Sequence, residues 1–194
     1  MAKKDSATSE AELDEHGLVV QRYESMILVI VPAHGYAETT LRYARSALFN
    51  VHVGTYAVSS NDEDMIPGAL QDEFQADGKL SQASMEPYAG LLVTGGPGAL
   101  ELAENPDAVR LVREAADQDK LIGAWGESVA VLAQAGIVKK RKVTGDPSLR
   151  EMLQAAGARY TGVQVQRDQK LVTALDDAAG FRFGKALVQL VAIL

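Results

Sequence analysis

The sequence predicts an α/β fold, a three-layer sandwich in which a mainly parallel sheet carries helices on both faces. Three observations lead there. Residues 26–31 form an unbroken apolar run rich in β-branched side chains and closed by Pro32, the pattern of a strand buried on both faces of a parallel sheet. Two more short apolar runs, 90–94 and 121–125, have the same character. Stretches of helical spacing separate these runs, and strands alternating with helices close a parallel sheet through crossover connections.

Residues 1–22 are polar and weakly patterned, with Leu18, Val19 and Val20 as one short extended piece. They are expected to form a mobile tail, with a single domain over 23–194. After the first strand, Leu41, Ala44, Leu48 and Phe49 recur at helical spacing within residues 38–49, and 51–58 alternates like a second strand. An acidic loop follows at 61–65, then two short strands within 73–83 that turn at Asp77-Gly78 as an inserted hairpin. The strand at 90–94 runs into Gly95-Gly96-Pro97-Gly98. Pro106 suits the first turn of a helix over 106–117 that points Val109, Leu111 and Val112 inward. The strand at 121–125 and a helix at 127–135 come next. The remainder reads as a helix at 147–156, a hairpin at 163–173 and a closing helix at 177–194. In such a fold the ligand crevice lies at the carboxyl ends of the strands.

Composition narrows the function. A chain of 194 residues with 47% hydrophobic content can bury one sizeable core. Its formal net charge is −7, which repels phosphate backbones, so nucleic acid is not an expected partner. There is no cysteine, which excludes disulfides, thiolate metal sites and thiolate catalysis and leaves a cytoplasmic location as the expectation. Residues 1–15 lack a signal-like apolar stretch, and no run approaches the roughly 18 apolar residues of a membrane span, so neither secretion nor membrane insertion is expected. The three histidines, His16, His34 and His52, show no metal-ligand spacing, and no metal is expected. The glycine run at 95–98 matches neither a P-loop nor a dinucleotide fingerprint; it suits a turn and an anion-accepting nest, and no cofactor is expected.

Several segments, in order, resemble the ThiJ/PfpI (DJ-one) superfamily. Residues 88–96, Tyr-Ala-Gly-Leu-Leu-Val-Thr-Gly-Gly, look like its strand entering a Gly-Gly turn, followed by Asn105-Pro106 and a helix. Leu132-Ala133-Gln134-Ala135-Gly136 resembles the segment behind its nucleophile elbow, and Arg141-Lys142-Val143-Thr144 the strand beyond. Ala156-Gly157-Ala158 and Leu171-Val172-Thr173 match later turns and strands. The resemblance implies a flavodoxin-like, class I glutamine amidotransferase-like fold. It also implies a site made of a Cys at a sharp strand-to-helix turn, a neighbouring His in many members, and a Glu from the first strand's loop. Backbone amides at the Gly-Gly turn and the elbow would form an oxyanion hole. A helix N-terminus lowers a thiol's pKa, and donors aimed at a developing oxyanion stabilise acyl-transfer intermediates.

Counting back from Leu132-Ala133, the nucleophile position falls on Gly126 and the position of the His on Glu127. The first-loop acid maps near Thr40, or Thr39, neither of them an acid. Glu38 is close in sequence, but one or two residues along a helix start rotate a side chain by about 100° to 200°. The expected degenerate pocket therefore comprises Thr40, Gly95, Gly96, Trp125, Gly126, Glu127 and Ser128, with Trp125 in the core or as a crevice wall. Glu127 and Ser128 suit capping of free amides at a helix start. Gly126-Glu127-Ser128-Val129-Ala130 also spells a degenerate Gly-x-Ser-x-Ala, which makes Ser128 a candidate nucleophile, although only His34, at the end of strand one, offers a histidine near the crevice.

The expected function is thus a catalytically degenerate ThiJ/PfpI-like domain with a binding, scaffolding or stress-related role. The resemblance adds pairing into a homodimer, and the crevice adds a small-molecule or protein ligand. The alternative is an enzyme in the inherited crevice: a noncovalent hydratase or lyase, or a serine-type hydrolase, using Glu127, Glu38 or Ser128.

Overall fold

A computed structural model describes residues 23–61 and 65–192. The extended piece expected at 18–20 lies outside them, as does most of the acidic loop. In chain order the elements are β1 (Ser25–Val31), α1 (Glu38–Phe49), β2 (Val53–Ser59), β3 (Ile66–Pro67), β4 (Glu73–Phe74), β5 (Gly78–Lys79), β6 (Gly90–Val93), α2 (Ala99–Leu102) and α3 (Pro106–Asp117). They continue with β7 (Leu121–Trp125), α4 (Val129–Gln134), β8 (Lys142–Val143), α5 (Arg150–Ala155), β9 (Arg159–Tyr160), β10 (Val165–Asp168), β11 (Leu171–Ala174) and α6 (Gly180–Val191).

Seven strands form the main sheet in the order β10-β11-β7-β6-β1-β2-β5. All neighbours run parallel except β10 against β11. The α/β fold with a mostly parallel sheet is therefore as the sequence predicts. Successive residues of β1 serve opposite faces: Leu28 and Ile30 join the core beneath α3 and α4, while Ile27, Val29 and Val31 join the core beneath α1 and α6. This explains the unbroken apolar run, because a strand covered on both sides has no face left for polar residues. Trp125, at the end of β7, is fully buried in the second core and meets the Phe183 ring at 5.2 Å between centroids.

The hairpin expected within 73–83 is corrected. β4 pairs antiparallel with β3, and β5 adds to β2 in parallel. Asp77 is the cause: its amide donates to Ala57 O and its Oδ2 accepts from the Ala57 amide, clamping the segment to the sheet edge. The helices expected at 127–135, 147–156 and 177–194 each begin instead with a 3₁₀ turn. Asn105 caps α3 by accepting from the Asp107 and Ala108 amides, which satisfies donors that the first helical turn leaves free.

Candidate functional site

One crevice of about 300 Å³ opens where strand ends converge; its walls include Ala37 and Glu38 from the segment after β1, Gly96 and Pro97 after β6, Trp125 and Glu127 at the end of β7, and Asp176 and Asp177 after β11. Asp146, beyond β8, and Leu70 complete the rim. This is the carboxyl-end position at which open α/β sheets bind ligands.

The turn leaving β7 has Gly126 at its apex with φ of +58°. A left-handed backbone between a strand and a helical turn is strained for residues with a side chain and free for glycine. A methyl group placed on Gly126 would meet no atom within 4 Å, so the position is open and only the backbone angle resists a side chain there.

Glu127 points back toward the turn after β6: its Oε2 accepts from the Gly96 amide at 3.0 Å. Gly96 has φ of +107°, and a methyl group there would lie 2.3 Å from Gly35 O and 2.6 Å from the Ala37 amide nitrogen. Only glycine lets these two loops approach, and Ala37 N donates to Gly95 O at 2.8 Å to hold them. The amide that the resemblance implies for an oxyanion thus faces a carboxylate. At the glycine run, where the sequence suggests an anion-accepting turn, the Gly96 amide has a carboxylate supplied from within the chain.

Ser128 is completely buried. Its hydroxyl lies 2.8 Å from Val93 O and 2.9 Å from Trp125 O and accepts from the Trp125 amide at 3.1 Å. It closes the ends of β6 and β7 and is absent from the crevice wall. A nucleophilic serine needs an approach path and a base. His34, the histidine considered for that base, is half exposed and pairs with Glu101 Oε1 at 3.1 Å, away from the crevice wall. The serine-hydrolase arrangement is therefore not formed, and Ser128 acts as an internal cap, although on strand ends rather than on its own helix.

Thr40, expected in the pocket, is fully buried and is not part of the crevice wall: its amide donates to Asp177 Oδ1 at 2.6 Å and its hydroxyl to Asp177 O at 2.9 Å. The Thr39 amide donates to Asp177 Oδ2 at 3.1 Å. With both amides at the start of α1 committed to Asp177, the carboxylate of this segment that reaches the wall is Glu38. Glu38 is only 4% exposed; its Oε1 accepts from the Leu70 amide at 2.5 Å, and its Oε2 has no partner. Trp125 Nε1 is likewise buried without a partner.

Sequence reasoning missed Asp146, Asp176 and Asp177. A signal for the last two was present, since Asp-Asp ahead of a small-residue helix start is a capping pattern; Asp176 does cap that turn through Ala178 N, while Asp177 caps a helix distant in sequence. Among the described residues no group of three or more His, Cys, Asp or Glu side chains is arranged to hold a metal ion.

Fold and site together define a flavodoxin-like α/β domain whose crevice lies at the strand ends, with a left-handed Gly126 at the turn leaving β7. The model of the DJ-1/PfpI family matches residues 25–190, and the chain belongs to that family. It is 27% identical over 151 residues to an uncharacterized protein of Methanocaldococcus jannaschii, covering 76% of this chain and 73% of that protein. To DJ-1 protein homolog F of Arabidopsis thaliana it is 33% identical over 94 residues, which is 47% of this chain and 23% of that protein. Among solved structures, the ThiJ/PfpI domain protein from Brachyspira murdochii superposes with a TM-score of 0.83 at 17% identity, over 89% of this chain and 99% of that one. Drosophila melanogaster DJ-1beta gives 0.77 at 20% identity, over 85% and 89%. At such identities these structures speak for the fold alone.

Proposed function

We propose that this chain is a catalytically degenerate member of the DJ-1/PfpI family that binds a ligand noncovalently in the crevice beside Gly126, in a scaffolding or stress-related role. One observation carries the reading. The elbow has no nucleophile, and the Gly96 amide beside it is occupied by Glu127 Oε2. Covalent acyl transfer draws on an activated nucleophile and on free donors for the oxyanion; the elbow offers no nucleophile, and the Gly96 donor is taken. A cytoplasmic homodimer is the form proposed, pairing being what the family resemblance implies; light scattering on purified protein tests it.

The decisive assay measures glyoxalase, deglycase, amidase and peptidase turnover against a heat-killed control. The expected result is no difference. Robust turnover abolished by Ser128→Ala would overturn the proposal. A noncovalent hydratase or lyase is the second reading, favoured by the buried Glu38 carboxyl with one oxygen unpartnered in the crevice wall, since general acid-base work needs a positioned carboxyl of this kind. Turnover that survives Ser128→Ala and disappears in Glu38→Gln would select it.

A further inference from the structure

We infer that the crevice takes a small organic cation, an amine whose ammonium group is received by Glu38 and Glu127 beside the Trp125 indole. The inference deepens the proposed noncovalent site and rests on it.

Charge is the first ground. Five carboxylates line the crevice, from Glu38, Glu127, Asp146, Asp176 and Asp177, and none of its described lining residues is Lys, Arg or His. Asp177 spends both oxygens on the start of α1 and serves as scaffold. Glu127, Asp146 and Asp176 each place one oxygen on a backbone amide, those of Gly96, Ser148 and Ala178. Among the described residues their second oxygens receive no protein donor. A concave wall of one sign focuses its field and concentrates the opposite charge.

The second ground is independent of the acid count. Two side chains of this wall are almost wholly buried and each leaves a polar atom unsatisfied: Glu38 Oε2, an acceptor, and Trp125 Nε1, a donor. Buried polar atoms without partners are uncommon in native proteins and costly, so each calls for an explanation. An ammonium group donating to Glu38 Oε2 would satisfy the first, and an acceptor elsewhere on a ligand, where it carries one, would satisfy Trp125 Nε1 as well.

The alternatives fit less well. An anion would meet the carboxylates directly, and the Gly96 amide that could receive it is already taken. A metal ion requires several ligands at one point, whereas no such group of side chains exists among the described residues. Carboxylates spread around a cavity of about 300 Å³ suit an extended cation whose methylene chain lies on Ala37, Leu70 and Pro97. That volume is at the lower end of the range for small-molecule sites, about 300–1,000 Å³.

Trp125 is the only tryptophan in the chain, so its fluorescence reports on this wall alone. The full-length protein is titrated with butanediamine, and with butanediol and succinate as neutral and anionic counterparts of equal length. The expected result is a saturable fluorescence change with the diamine, accompanied by a raised melting temperature, and none with the other two. Glu38→Gln and Glu127→Gln keep the side-chain shape and an acceptor for the Leu70 and Gly96 amides; each is expected to weaken the diamine by about tenfold or more, as loss of a charged hydrogen-bond partner does. Circular dichroism confirms that both variants are folded. A response to succinate or the diol, diamine binding unchanged in both variants, or no response to any compound would overturn the inference. The two conclusions separate cleanly: a diamine that binds and is consumed would sink the binding-only function while leaving the cation site standing, and a crevice that prefers succinate would do the reverse.

Discussion

Glu127 Oε2 accepts from the Gly96 amide at 3.0 Å, and this one bond joins the turn after β6 to the turn after β7. It also fixes what restoring a thiol at the elbow would accomplish.

Gly126→Cys has room for its side chain, since no atom lies within 4 Å of a methyl group there. The sulfhydryl is expected to react with a disulfide reagent in the folded protein, yet to give no acyl turnover, because Glu127 still holds the Gly96 donor. The obstacle is not a missing acid, for Glu38 stands in the wall. Adding Glu127→Gly frees the amide, and turnover is expected only in the double variant; a single donor of this kind is worth about 100- to 1,000-fold elsewhere. Equal turnover by the single and double variants would contradict the role given to the Glu127–Gly96 bond.

Gly126→Ala separates backbone strain from packing. With φ at +58° and open space around it, the methyl group costs nothing sterically and the left-handed backbone costs about 1 kcal/mol or more. Denaturant melts of the two proteins check this. A neutral or stabilising substitution would mean that the elbow is remodelled in solution.

Ser128→Ala is expected to be a stability variant. The Trp125 amide loses its acceptor, and two strand-end carbonyls lose their hydroxyl neighbour in a fully buried place. Leaving buried groups unsatisfied costs about 1–3 kcal/mol. The melting temperature should fall while turnover stays at the background of the parent.

Alkaline pH should unfold the protein earlier than its carboxylates would suggest. Burial pushes the phenols of Tyr36, Tyr88 and Tyr160 above the ordinary value of 10.0, and nearby carboxylates add to this at each of the three. A group whose pKa is raised by folding contributes stability that is intact below the unfolded value and lost as pH rises through the folded one. Stability is therefore expected to be level approaching pH 10 and to decline above it. Tyr36→Phe should delay that decline, as followed by phenolate absorbance alongside circular dichroism.

The sheet was legible because its strands are buried on both faces and so read as continuous apolar runs; the ranges 121–125, 106–117 and 38–49 emerge unchanged in β7, α3 and α1. The segment 73–83 was misread because Asp77-Gly78 is a turn signal in isolation, whereas the Asp77 carboxylate is used on Ala57 of a strand distant in sequence. The elbow could be found by counting, and its glycine does have the left-handed angle. Which acid enters the crevice could not be found that way. A step of one or two residues would carry Glu38 off the crevice only if the start of α1 were oriented by its own residues, but its amides are held by Asp177, and no local pattern contains that partner. The same holds for Glu127, whose use on Gly96 depends on two strand ends lying side by side.

The clamp between Asp177 and the start of α1 has a consequence for biogenesis. Its two ends are 137 residues apart, and α6, which follows at once, packs Gly184 against Tyr43 and Ala47 of α1. Contacts of such sequence separation form late and slow the search for the native topology. During synthesis α1 must wait, with its apolar face uncovered, until almost the whole domain has left the ribosome, and a nascent chain of that kind is exposed to aggregation for the interval. The wall that carries Glu38 acquires its geometry only at the end. A molecule that binds the crevice can therefore reward the completed fold, but it cannot chaperone the steps that lead to it.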